Sequence, residues 1–240
     1  MTSPRLSVVV PVFDEAAILE GSLARLLGHL RAGGASFELF CVDDGSRDGT
    51  AEILARHAPE VRTLSHAQNR GKGAAVRTGA LAASGERIVF LDADLSTDLD
   101  DLGALLAALD GGADVALGSR RLAGSRIERR QPALRELCGR VFSRLARLSI
   151  APEVLDFTCG FKAFRREAAA EIFSRARVER WAFDAELIAI AKARGRKLAQ
   201  VPVRWSHSGS SKVRVVGAAL GSLAALGAIV WRLRTGAYRD

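Results

Sequence analysis

The first 120 residues alternate short, almost wholly apolar runs with longer segments of helical period, and few folds accommodate that order. Residues 6–12 (LSVVVPV), 37–42 (FELFCV), 61–64, 87–91 (RIVFL) and 114–118 (DVALG) read as strands. Between them, 16–31, 50–57, 73–83 and 98–109 read as helices; the first carries Leu19, Leu23, Leu26, Leu27 and Leu30 on one stripe. Strands with no polar face need cover on both sides. The pattern therefore predicts an α/β fold, Rossmann-like, with a mostly parallel sheet between two helical layers.

Ligands in such sheets bind at the carboxyl ends of the strands. Asp14 and Glu15 follow the first strand, Asp43 and Asp44 the second, and Asp92 and Asp94 the fourth, so three acidic pairs are expected on one rim. In VFLDADLS, Asp92 and Asp94 are one residue apart, a spacing that lets both reach a hard divalent cation bridging a diphosphate. In VDDGSRDGT, Gly45 allows a tight turn and Asp48 or Thr50 can cap the next helix, which leaves Asp44 for a base or ribose contact. NRGKGAA (69–75) is neither a P-loop nor a dinucleotide fingerprint. Its glycines and Lys72 either approach an anion at a helix N-terminus or simply start the helix.

Charge separates the two halves. Residues 1–120 hold 11 Lys and Arg against 17 Asp and Glu, whereas 121–240 hold 24 against 10. Eight arginines fall between Arg121 and Arg147, so the second half is expected to meet something anionic: phosphates, nucleic acid or a lipid surface. Residues 133–148 form an amphipathic helix with Leu134, Leu137, Val141, Phe142, Leu145 and Leu148 on its apolar face and Arg135, Arg140, Arg144 and Arg147 elsewhere. Residues 155–164 (LDFTCGFKAF) are strand-like, 183–193 a helix and 198–205 a strand. The uncharged run 215–231 has 17 residues, about 25 Å of helix, short of a comfortable membrane crossing, and an interfacial or partly inserted helix is expected. Three cysteines at unrelated spacings suggest no disulfide or zinc framework, and an N-terminus that enters a strand within six residues suggests no secretory leader; a cytosolic location is expected.

In their order and spacing, VPVFDE, VDDGSRDGT, NRGKG, DADLS and GSR resemble the family 2 glycosyltransferases with a GT-A fold. LDFTCGFKAF, RWAFDAELIAIA, VPVRW, GSSK and RTGAYR narrow the resemblance to the polyprenyl-phosphate branch, nearer to dolichyl-phosphate glucosyltransferases than to mannose synthases. The resemblance implies a nucleoside pocket lined by Pro11, Phe13, Glu15, Val42 and Asp44, with Lys72 beside the donor. It implies Mg²⁺ or Mn²⁺ held by Asp92, the backbone of Ala93, and Asp94, with Ser96 standing where mannose synthases carry Gln. Arg120 would neutralise donor phosphate, and Arg135 and Lys212 the lipid phosphate; Asp156, Lys162, Trp181 and Asp184 would shape the acceptor and sugar site.

The expected organisation is a glycosyltransferase domain over 1–212, its nucleotide-sugar half 1–120 and acceptor half 121–212, followed by a membrane-associating helix in 213–240. The expected activity is transfer of a hexose from UDP-glucose to a polyprenyl phosphate on the cytoplasmic face of a membrane. GDP-mannose as donor and a non-lipid acceptor are the alternatives. A nucleotide- or nucleic-acid-binding protein is the reading from another class. It is disfavoured because paired acids repel phosphates unless a cation intervenes, and aromatic residues are sparse in the basic stretch.

Overall fold

The computed structural model describes residues 4–209 and 215–239. A seven-stranded sheet runs in the order β3-β2-β1-β4-β7-β5-β8, built from β1 (Leu6–Val12), β2 (Phe37–Asp43), β3 (Val61–Ser65), β4 (Arg87–Leu91), β5 (Val115–Ser119), β7 (Phe161–Arg165) and β8 (Leu198–Pro202). A small parallel ribbon joins β6 (Arg126–Arg129) to β9 (Arg204–Ser206). The helices are α1 (Ala16–Ala32), α2 (Thr50–Arg56), α3 (Lys72–Ala82), α4 (Leu102–Asp110, after a 3-10 turn at Leu99–Asp101), α5 (Ala133–Ser149), α6 (Arg166–Arg175), α7 (Phe183–Ala193) and α8 (Val215–Arg234).

Strand alternation sorts the core into two layers. Val8, Val10 and Val12 pack with Leu19, Leu23, Leu26 and Leu30 of α1 on one face, joined by Val89 and Leu91 of β4. Val9, Ile88 and Phe90 point the other way, into the layer of α3, α6 and α7. Both faces are therefore covered, as the unbroken apolar strands required.

The sheet departs from the parallel expectation at one place. β7 runs antiparallel between β4 and β5, with Leu91 opposite Phe161 and Val115 opposite Phe164. Residues 1–120 and 121–212 thus share one sheet rather than forming two bodies. Within the strand-like stretch 155–164 only the part from Phe161 on is strand, and the region 198–205 splits at Val203 into β8 and β9.

The amphipathic helix α5 divides the apolar face that the sequence groups together. Phe142, Ser143 and Ala146 face the core, whereas Leu134, Leu137, Val141, Leu145 and Leu148 are exposed. The sequence places Phe142 on the same apolar face; the structure turns that residue inward and leaves the leucine stripe uncovered. Helix α8 buries Leu226 and Ile229 against the layer holding α5 and α7, and leaves Leu220, Leu223 and Trp231 exposed. Among the described residues no helix is long and apolar enough to cross a membrane.

Candidate active site

At the carboxyl ends of β1, β2 and β4 lies a cleft of about 1020 Å³. The acidic rim lines one side, through Pro11, Phe13, Glu15, Asp44, Asp92, Ala93 and Asp94. The segment 177–182, Arg135 of α5 and one face of α8 line the other.

The two carboxylates after β4 are aimed by a strained turn. Leu95 N–H donates to the Asp92 carbonyl at 3.0 Å, and Leu95 sits in the left-handed region at φ 48°. A leucine there costs of order 1–3 kcal/mol, a strain typical of functional loops. Asp94 is fixed at both oxygens: Ser96 N–H donates to Oδ1 at 3.0 Å and Ser208 Oγ–H to Oδ2 at 2.7 Å. Asp92 instead meets the ammonium of Lys72. It has room because residue 160 is glycine; a Cβ at that position would overlap the Asp92 carboxylate. Burial works against charge on Lys72, but Asp92, Asp184 and Asp94 outweigh it and hold the ammonium above the ordinary lysine value. Arg135 faces the same carboxylates: burial lowers its pKa, while Asp94 and Asp92 pull it back.

These residues fit a divalent cation. Both carboxylates open on the cleft, and a protein cation already sits against Asp92. Among the described residues no cluster of three or more His, Cys, Asp or Glu forms a closed cage. A cation held by Asp92 and Asp94 would keep positions for a ligand's oxygens.

The other two acidic pairs are used differently. Asp44 is buried, and its carboxylate takes Arg70 N–H at 3.0 Å, Gly71 N–H at 2.7 Å and His66 Nδ1 at 2.7 Å. It borders the cleft while fixing the loop before α3. Asp14 is left-handed, at φ 54°, and accepts Arg47 N–H at 2.7 Å; Asp43 accepts Ser46 N–H at 2.9 Å. Both serve the crossing of the two loops, so three pairs share one rim but only one is presented as a pair.

NRGKG proves to be a seat for protein backbone. A Cβ at Gly71 would come within 2.5 Å of the Glu179 carbonyl oxygen, and one at Gly73 within 2.5 Å of the Val178 carbonyl oxygen and Phe183. Ala74 N–H donates to the Glu179 carbonyl at 3.0 Å. The glycines thus dock the segment 178–180 onto the start of α3, and Lys72 alone of the motif's side chains reaches the carboxylates.

Several expected contacts lie behind the cleft rather than in it. Arg120, expected on donor phosphate, makes a bidentate pair with Asp156 (2.7 and 2.9 Å), donates to the Thr158 hydroxyl oxygen at 2.8 Å and stacks on Trp205. Burial opposes the Asp156 charge, but Arg120 overrides it and holds the carboxyl far below the usual carboxylate range. Lys162 is buried, paired with Asp184 and donating to the Cys159 carbonyl at 2.6 Å. Of the four residues expected to shape the acceptor side, only Trp181 lines the cleft. Val42 is wholly in the core, and Ser96 offers Asp94 its backbone from outside the lining. Lys212, with the rest of GSSK after Gly209, lies outside the described residues.

The structure also adds residues. Arg177, Arg180 and Arg232 line the cleft opposite the carboxylates, from a loop and from α8. Their sequence signal was the basic excess of the second half and, for Arg180, its place at the start of RWAFDAELIAIA. Gly160 was hidden within TCGFK.

Comparison with known proteins gives the class of this α/β chain: residues 7–173 match "Glycosyl transferase family 2", and the chain belongs to that family of transferases. It is homologous to dolichyl-phosphate beta-glucosyltransferases. It is 37% identical over 224 residues to one from Trichomonas vaginalis, covering 87% of this chain and 66% of the relative. It is 34% identical to the Drosophila melanogaster enzyme, with 88% and 70% covered, and 33% identical to the human one, with 87% and 69% covered. The chain thus spans about two thirds of the length of these relatives. Among solved structures, glucosyl-3-phosphoglycerate synthase from Mycobacterium tuberculosis, in complex with Mn²⁺, UDP-glucose and phosphoglyceric acid, superposes with a TM-score of 0.71. Sequence identity is 20%, with 95% of this chain and 80% of that one covered, a likeness that establishes the GT-A-like fold.

Proposed function

We propose that the chain transfers glucose from UDP-glucose to the phosphate of a polyprenyl (dolichyl-type) phosphate, with inversion, at the cytoplasmic face of a membrane. The observation that carries this reading is a single cleft with two presented carboxylates on one wall and arginines on the other. The relatives' names point to the same donor sugar and acceptor, and the M. tuberculosis neighbour binds UDP-glucose with Mn²⁺.

Asp92 and Asp94 would hold Mg²⁺ or Mn²⁺, which when bound neutralises the leaving diphosphate. Lys72 stands next to them as a second positive group for that diphosphate. Phe13, Pro11 and Glu15 border the space for the nucleoside, and Asp44 braces its floor. Arg120 with Asp156, and Lys162 with Asp184, act from beneath by fixing the strand ends. Val42 and Ser96 support the rim in the same way.

The acceptor phosphate is mostly dianionic near neutral pH, so its oxygen is a nucleophile that needs no enzymic base. It attacks the anomeric carbon, the bond to UDP breaks, and UDP leaves with the electron pair. One displacement turns an α-linked donor into a β-linked product. Arg135, Arg177, Arg180 and Arg232 supply the positive wall that holds the incoming phosphate in line, and Lys212, outside the described residues, is proposed as a further contact to that phosphate. The uncovered stripe of α5, with Arg140, Arg144 and Arg147 beside it, suits the boundary of an anionic bilayer, where the lipid tail resides.

The test pairs UDP-glucose, GDP-mannose and UDP-GlcNAc with a polyprenyl phosphate in vesicles, with and without EDTA. A β-linked glucosyl lipid that forms only from UDP-glucose and only with divalent metal is expected. Preference for GDP-mannose, a retained anomer by NMR, or turnover on a soluble acceptor alone would overturn the reading.

A further inference from the structure

Glu186, on α7, is wholly buried and does not touch the cleft, yet it carries four hydrogen bonds. Its Oε2 accepts the backbone N–H of Arg177 at 2.7 Å and of Val178 at 2.6 Å. Its Oε1 accepts the Tyr238 hydroxyl at 2.7 Å and Arg232 Nη1 at 3.3 Å. One oxygen thus ties down the segment that forms the basic wall, and the other ties down the end of the chain. Arg177, Val178 and Arg232 all line the cleft; Tyr238, 1% exposed, does not. Burial, reinforced by the adjacent Glu186 carboxylate, raises the Tyr238 pKa, so the phenol stays protonated and donates. On its far side the same segment rests on Gly71, just before α3, and on Gly73 within it. It is clamped between α3 and one carboxylate.

We infer that Glu186 is a positioning residue that couples the segment after α8, through Tyr238, to the arginine wall of the cleft, of which Arg232 is itself a part. Tyr238 would thereby set acceptor binding without touching the acceptor. This rests on the proposed function only in taking that wall as the acceptor's. Among the described residues the hydrogen bonds of Glu186 go to Arg177, Val178, Arg232 and Tyr238 and none to the donor rim built on β1, β2 and β4, so donor and acceptor binding should respond separately.

The test compares Tyr238→Phe, which keeps the buried ring, with Glu186→Gln. It reads hydrogen exchange at the 177 and 178 amides, UDP binding, and steady-state KM for each substrate. Tyr238→Phe should speed exchange at those two amides and raise the acceptor KM, each about tenfold, the scale of one hydrogen bond to a charged acceptor. Donor KM and kcat should stay within about twofold, and Glu186→Gln should move the same readouts further. Unchanged exchange, or donor and acceptor KM rising together, would overturn the inference. Should the wild-type enzyme transfer nothing to a lipid phosphate, the proposed function falls, and the exchange rates alone decide the coupling.

Discussion

The two walls of the cleft are built on opposite plans. The donor wall is seated on the sheet: its loops directly follow three adjacent strands, and its carboxylates are held both locally, as Asp94 by Ser96, and across loops, as Asp94 by Ser208 and Asp44 by Gly71. The basic wall takes Arg135 from α5, Arg177 and Arg180 from one loop and Arg232 from α8, held by contacts that span dozens of residues, such as Glu186 with Tyr238. A wall seated on strand ends takes its positions from the sheet; a wall built from helices and a loop inherits the packing of every helix that contributes to it.

The largest expected effect falls on the donor wall. Asp94→Ala should lower kcat by about 100-fold or more, the scale for losing a group that stabilises developing charge. Its melting temperature should stay near wild type, since Asp94 bonds only at the rim. Near-normal turnover by this variant would remove the metal assignment and the distinction between the walls with it.

Next is the support beneath. Asp156→Asn leaves Arg120 buried beside a neutral partner and should cost about 3–5 kcal/mol in urea unfolding. Because the folded Asp156 pKa is depressed, its stabilisation is complete above the ordinary aspartate value near pH 4 and fades only as pH falls further. The mutational loss should therefore shrink in acid. Full stability of this variant at pH 7 would return Arg120 to service as a phosphate ligand.

Gly73→Ala probes the seam between the walls. The added methyl meets the Val178 carbonyl and Phe183 at 2.5 Å, and a cost of about 1–3 kcal/mol is expected, with acceptor KM affected more than donor KM. The α5 stripe should behave oppositely: Leu137→Asp should change stability by no more than about 0.5 kcal/mol while sharply reducing the fraction bound to anionic vesicles in a flotation assay. The smallest effect is chemical. Burial pushes Cys41 up to about 12 and Cys159 up to about 11, so at pH 8 iodoacetamide should label Cys138 first, read by mass spectrometry.

The same contrast explains what could be read from the sequence. Strands β1 to β5 and helices α1 to α4 announce themselves because apolar runs and leucine stripes are local, and Asp92 and Asp94 follow from their place after RIVFL. The direction of β7 could not be read, since a five-residue run, FKAFR, says nothing about which way a strand runs. Strands β6 and β9 are short and rich in arginine, and α6 hides in an alanine-rich, charged stretch. The periodicity of α5 marks a stripe but not what covers it. Arg120 and Lys162 were legible as charges; that each is consumed by a buried carboxylate is a tertiary fact.

The antiparallel insertion of β7 has a consequence for synthesis. When the ribosome has released the first 120 residues, β4 has one open edge and β5 has no partner at all, because both wait for residues 161–165. An unpaired strand is an adhesive surface, so the nascent chain must be shielded for some forty residues more. Polypeptides cut near position 120 would carry the whole acidic rim yet lack the strand that closes it, and they should clump rather than bind nucleotide.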